Sequence, residues 1–176
     1  MKTLLWMDLE TTGLDFQEDV ILEVASVVTD KNLNVISCLS MVVDQPSTHL
    51  YKMNDYVKEL HTKSGLLEII NNGSGLHILK VDEMITDEVN KYFTEPVVLH
   101  GNSIHFDRNF INRYLPRLKV LLSYRMIDVS SFKECLKIYE IGGEPKKKTA
   151  HRALDDIYES ISEYKYYLKL LNIIGE

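Results

Sequence analysis

The order of apolar runs and turn residues predicts an α/β domain of three layers, with a mixed five-stranded sheet flanked by helices. Three observations carry that prediction. The chain opens with three β-branched or apolar runs separated by turn residues, which read as a meander. After Thr48 the periodicity becomes helical, and two later short apolar runs are each followed by a helical segment. A length of 176 residues suits one domain over the whole chain, residues 1–176, with a single well-buried core.

The first strand starts in the apolar run Thr3–Met7 and ends with Asp8 and Glu10 before the break at Gly13. Strand side chains alternate, so Asp8 and Glu10 share a face. Two like charges that close need a positive partner, and a hard divalent cation with oxygen ligands is a natural one. The second strand spans Val20–Asp30, and the third runs from Val35 to Val43 after the turn Lys31–Asn34. Glu23, a carboxylate within the second strand, is taken as a polar-face position because no acid lies two residues from it. Short helices are expected at Tyr56–His61 and Leu66–Ile70, and a longer one within Leu76–Phe93. Pro96–Gly101 reads as a buried strand, followed by a helix from Phe106 to Leu115 that Pro116 stops. Arg125–Val129 is strand-like, and Ser130 is placed to cap a helix reaching about Ile141. After a Gly- and Lys-rich loop at Gly142–Lys148, the last helix runs from Ala153 to about Leu171.

Composition narrows the function. The net charge of −6 does not suit a protein that clamps long duplexes, so a nucleic-acid ligand would be short or held by metal and a few local contacts. Cys38 and Cys135 form no C-x-x-C pair, which argues against a disulfide framework or a zinc site. The N-terminus meets Asp8 too early for a signal peptide, and no apolar run reaches membrane-spanning length. A soluble, cytoplasmic protein without membrane partners is expected.

Taken singly, the other candidate acids have ordinary explanations: Asp107, Asp155 and Asp156 each open a helix, where a negative charge is favourable. His151 alone reads as an exposed loop residue, and Lys146–Lys148 as a solvated run. Together they form an ordered set: a strand-end Asp-x-Glu, an Asp opening a helix after a buried strand, and His-x4-Asp entering the last helix. The chain resembles the DEDDh subgroup of 3′→5′ exonucleases, which have a ribonuclease H-like fold, and within it the oligoribonuclease family. The matching stretches are Trp6–Leu14, Leu60–Leu66, Gly101–Ile104, Tyr124–Ser130 and Ala150–Ile157. The first and last mark the broad exonuclease group, and the middle three are specific to oligoribonuclease.

The resemblance implies that Asp8, Glu10, Asp107 and Asp156 bind two divalent ions, Mg²⁺ or Mn²⁺, with His151 as general base. Such an all-oxygen ligand set suits these cations. A histidine with an ordinary pKa near 6.5 can take a proton from the attacking water. Asp155 is the alternative fourth ligand, since one residue rotates the side chain about 100° around a helix. Leu14 would wedge against a base, and Tyr56, where the family usually has tryptophan, would stack on the other. His61, Ser103, Arg125 and Ser130 match positions near the terminal phosphate or sugar, while Tyr124 and Arg125 match residues reaching across a homodimer. Thr11 stands where the oligoribonuclease motif usually has methionine. The implied activity is degradation of dinucleotides and other short RNA to nucleoside 5′-monophosphates. The alternatives are a general exonuclease acting on DNA or longer RNA 3′ ends, and a catalytically silent oligonucleotide-binding dimer. Apolar and aromatic residues of the last helix, Tyr164, Tyr166, Tyr167 and Leu170, suit either a dimer face or core packing.

Overall fold

In the computed structural model, which describes residues 2–143 and 151–174, five strands form one mixed sheet. β1 (Thr3–Thr11), β2 (Ile21–Asp30) and β3 (Val35–Val42) are antiparallel neighbours. β4 (Val97–Gly101) lies parallel to β1, and β5 (Leu122–Asp128) parallel to β4, giving the order β3-β2-β1-β4-β5. The helices are α1 (Ser47–Leu50), α2 (Asp55–Lys63), α3 (Leu66–Asn71), α4 (Ile78–Asn90), α5 (His105–Tyr114), α6 (Pro116–Leu121), α7 (Val129–Ile138) and α8 (Ala153–Leu170).

The period of two along β1 and β2 decides what meets what. Leu5 and Met7 point to one side, where they pack with Val24 and Val28 of β2, Val81, Ile85 and Val89 of α4, and Phe110 and Ile111 of α5. Trp6 points to the other side, against Ala25, Val27 and the α8 residues Ala153, Ile157 and Ile161. Its indole N–H donates to Thr29 Oγ1 at 3.0 Å, so the largest buried side chain leaves no polar atom unsatisfied. Continuing the alternation puts Asp8 and Glu10 on the Trp6 side, toward α8. By the same count Glu23 of β2 faces α8 as well. β1, β4 and β5 run parallel, so their carboxyl ends open on one edge of the sheet, where ligands of such sheets commonly bind.

Several local expectations change. Pro116 ends α5 but also begins α6, because proline is tolerated at the first helical position. No neighbouring side chain caps α6; Asp82 of α4 does so from a distance, accepting the N–H groups of Arg117 (2.9 Å) and Leu118 (3.0 Å). Ser130 is not the cap of α7. Asp128 is, accepting the Ser130 N–H at 3.0 Å, which puts Ser130 inside the first turn. Tyr167 is 2% exposed and its hydroxyl donates to Glu163, while Tyr164 packs edge-on against Trp6 and Phe132. These two tyrosines therefore serve the core, not a dimer face. Cys38 and Cys135 are both free and exposed. Among the described residues no helix is long and apolar enough to cross a membrane. Lys146–Lys148 and most of the loop around them lie outside the described residues.

Candidate active site

Asp8 and Glu10 at the end of β1 meet Asp156, one turn into α8. Each offers a carboxylate oxygen, and the three oxygens lie within 4.8 Å of one another. Asp155, the alternative, is exposed. Asp107 is outside that trio but adjoins it. It is buried at the start of α5, and its Oδ1 accepts the N–H of Leu9, the residue between Asp8 and Glu10, at 2.9 Å.

Burial and crowding perturb Asp8, Glu10 and Asp107. Burial pushes the Asp8 carboxyl well above its usual range, reinforced by the charges of Asp107, Glu10, Asp156 and Glu23. Burial and then Asp156, Glu23 and Asp107 raise Glu10 to about 8, against a smaller opposing effect of Arg152. Asp107 is raised to about 7, chiefly by burial and against the hydrogen bond from Leu9. Carboxylates held this way retain protons until a cation replaces them. An all-oxygen donor set of this kind fits a hard divalent ion.

Two histidines belong to the segments around the acids, His151 before α8 and His61 on α2. His151 lies two residues before the first residue of α8, with φ of +51°, a left-handed backbone uncommon outside glycine. It stands close enough to His61 to act on its charge. His61, on α2, is 2% exposed; its Nε2 lies 2.9 Å from the Thr11 carbonyl, and its Nδ1 is 3.8 Å from Glu10 Oε2. Among the described residues nothing hydrogen-bonds that Nδ1. Burial holds His61 below its ordinary pKa, so it is neutral, with the Nε2–H given to Thr11 and a lone pair facing Glu10.

A second group lies where β4 and β5 end. Ser103, with φ of +48°, has its N–H held by Asp128 Oδ1 (2.9 Å) and Ser130 Oγ (3.0 Å). Ser130 donates its hydroxyl to Asn102 Oδ1 at 3.1 Å, and the Ser103 and Ser130 hydroxyls are 3.3 Å apart. With the Ser130 proton given to Asn102, the Ser103 hydroxyl is the donor of the 3.3 Å contact. Asn102 is itself fixed by donating to Ser160 (2.9 Å) and Glu163 (3.0 Å) of α8.

The remaining candidates are surface residues. Leu14 is 74% and Tyr56 73% exposed. Leu14 lines a shallow hollow of roughly 400 Å³ with Phe16, Phe106 and Phe110. Tyr124, on the edge strand β5, is 80% exposed, with the Arg125 guanidinium 4.9 Å from its ring centre.

Sequence reasoning missed Glu23 and Asn102. Glu23 is not a solvated polar-face residue: it is 1% exposed and bonded to Arg152, Ala153 and Ser40. The available signal was the strand alternation itself, which aims Glu23 at the same helix as Asp8 and Glu10. Asn102 lay within a recognised motif, but its partners come from α8, far along the chain.

The RNase_T family model, described as Exonuclease, matches residues 5–164. The oligoribonuclease of Mycobacterium sp. (strain KMS) is 44% identical over 170 residues, covering 93% of this chain and 79% of that protein. That of Tropheryma whipplei (strain Twist) is 42% identical over 170 residues, covering 93% and 90%. Among solved structures, E. coli Exonuclease I in complex with a dT13 oligonucleotide superposes with a TM-score of 0.77 at 18% identity. It is matched over 98% of this chain but only 42% of that one, a likeness of fold.

Proposed function

Because the chain belongs to the oligoribonuclease family of exonucleases, and is thereby a 3′→5′ exoribonuclease that hydrolyses short oligonucleotides with divalent metal, we propose the following division of labour at its site. Asp8, Glu10, Asp107 and Asp156 hold two ions, Mg²⁺ or Mn²⁺. The observation that carries this is the cluster of Asp8, Glu10 and Asp156 oxygens, with Asp107 hydrogen-bonded to the chain between the first two. Bound there, divalent cations supply charge stabilisation for the attacking and leaving oxygens of an in-line displacement. His151 accepts the proton of the attacking water on an imidazole nitrogen. The water oxygen bonds to phosphorus, the bond to the 3′ oxygen of the preceding nucleotide breaks, and that oxygen takes up a proton. The product is a nucleoside 5′-monophosphate.

Ser103 and Arg125 donate to the phosphate and sugar, Ser130 and His61 line that end of the site beside them, and Leu14 and Tyr56 grip the bases. The Ser103 hydroxyl, whose long 3.3 Å bond to Ser130 can be exchanged for a phosphate oxygen, supports the phosphate role. A site closed at one end by such groups favours dinucleotides and accords with a net charge of −6, since no long basic track is required. The enzyme acts in the cytoplasm as a single exonuclease domain and a homodimer, with Tyr124 and Arg125 reaching the partner's substrate. An exposed aromatic on an edge strand supports that arrangement.

The test is a time course on 5′-labelled RNAs of about two, three, five and ten nucleotides with Mg²⁺, Mn²⁺ or EDTA, the span a capped site should discriminate. Fast metal-dependent loss of the dinucleotide with slow attack on the longest RNA is expected. Stepwise shortening of the long RNA with the dinucleotide spared would assign a general exonuclease. Tight dinucleotide binding without cleavage would assign a binding module.

A further inference from the structure

One buried acid near the site lies outside this scheme. Glu23 pairs with Glu10 across β1 and β2, yet its carboxylate is fully engaged by the segment that begins α8. Arg152 Nη2 donates to Oε1 at 2.8 Å and Arg152 Nε to Oε2 at 3.0 Å, a two-pronged pair. The Ala153 N–H donates to Oε2 at 3.2 Å, and Ser40 Oγ on β3 to Oε1 at 2.9 Å. Arg152 starts α8 with no capping bond from its own side chain, so the carboxylate of a distant strand supplies the cap.

Arg152 is also tied on its main chain, since its carbonyl accepts the Asp156 N–H at 3.0 Å. The residue gripped by Glu23 is thus bonded to Asp156 and covalently joined to His151. Burial alone would raise the Glu23 carboxyl, but the bonds from Arg152, Ser40 and Ala153 outweigh it and leave it lowered, the opposite of Asp8 and Glu10.

We propose that Glu23 and Arg152 are positioning residues of the exonuclease: their buried ion pair fixes His151 and Asp156 against Asp8 and Glu10, without either residue touching the reacting atoms. The pair joins the strand next to the first two acids to the segment bearing the base and the last acid. Its loss lets the two halves of the site drift apart while the substrate-gripping residues stay where they are. Displacements of about 1 Å in such a constellation cost rate, not ground-state binding.

The inference rests on the proposed roles of His151 and Asp156, and its test separates the two. Glu23→Gln keeps the shape but removes the charge, and Arg152→Lys keeps the charge but removes the fork. For each, kcat and KM on a dinucleotide are measured at saturating Mn²⁺, well below the melting temperature, with dinucleotide affinity measured separately in Ca²⁺. The wild type and His151→Ala are run alongside. We expect kcat to fall about 10- to 100-fold in both variants, with KM and affinity within about threefold. The double variant should fall no further than the worse single one, as for two parts of one device. If Arg152→Lys stays folded and retains kcat within about twofold, the pair is merely structural and the proposal is overturned. Should Glu23→Gln fail to fold, Arg152→Lys decides alone. Full activity of His151→Ala would instead sink the catalytic assignment.

Discussion

Replacing Glu10 by glutamine should abolish hydrolysis and yet stabilise the metal-free protein. The Glu10 side chain is 12% exposed, and its carboxyl is raised from 4.5 to about 8. A carboxyl whose folded pKa exceeds its unfolded one binds protons more tightly in the fold. Its contribution is therefore intact below about pH 4.5 and is lost as the pH climbs to about 8. At about 1.4 kcal/mol per pH unit, the ceiling of the loss at pH 8 is roughly 4 kcal/mol, and at pH 5 it is under about 1 kcal/mol. Neighbouring acids readjust their own protons as Glu10 ionises, which brings the expected loss to about 2–4 kcal/mol. Glutamine cannot ionise, and its amide is placed toward the unpaired Nδ1 of neutral His61. In EDTA at pH 8, Glu10→Gln should melt roughly 4–15 °C above the wild type, with the gap nearly closed at pH 5. Mn²⁺ should reverse the order at pH 8 by stabilising only the protein with the full acid set. Thermal melts at the two pH values, with and without metal, give all four comparisons. If the variant melts at or below the wild type in EDTA at pH 8, neither burial nor the neighbouring acids penalise the charged Glu10 and the metal-site argument fails.

Two further outcomes follow from the geometry. Asp156→Ala should remove hydrolysis and weaken Mn²⁺ binding by titration calorimetry, while Asp155→Ala leaves both unchanged, because only Asp156 joins the trio. An inactive Asp155→Ala protein would reverse that assignment. Tyr56→Ala should weaken dinucleotide binding by about 1–3 kcal/mol for one lost base stack, and unchanged affinity by fluorescence titration would take Tyr56 out of the site.

The fold was legible because strand alternation and helical spacing are local. Trp6, facing one way between Leu5 and Met7, already says that the sheet is covered on both sides. The same alternation predicts Asp8 and Glu10 side by side. What could not be read was any partner supplied from a distance. The start of α6 is capped by Asp82 of α4, and Pro116 alone suggested only a stop. Ser130 resembled a cap, but Asp128 wins because its carboxylate serves Ser103 and Ser130 together. Glu23 looked isolated when judged by acids two residues away. Its partner Arg152 lies 129 positions on, and only the packing of α8 on β2 joins them.

The acids of this protein separate by what compensates them. Asp82 caps α6, Asp30 holds the β2–β3 turn through Asn32 and Asn34, and Glu163 receives Asn102 and Tyr167. Glu23 takes a guanidinium and two further donors, and its carboxyl is lowered. Asp8, Glu10 and Asp107 go the other way, raised chiefly by burial and further by neighbouring acids: Asp107, Glu10, Asp156 and Glu23 for Asp8, Asp156, Glu23 and Asp107 for Glu10, and Asp128 for Asp107. A fold that spent donors on its other buried acids, Asp107 included, and left Asp8 and Glu10 raised has left their compensation to something outside the chain. Arg152 explains why the division is stable. Were it to turn from Glu23 toward Glu10, it would neutralise a ligand and expose Glu23 uncompensated in the core, a cost of several kcal/mol for a broken buried pair. The two-pronged bond to Glu23 thus keeps the Arg152 guanidinium away from the proposed metal-binding acids.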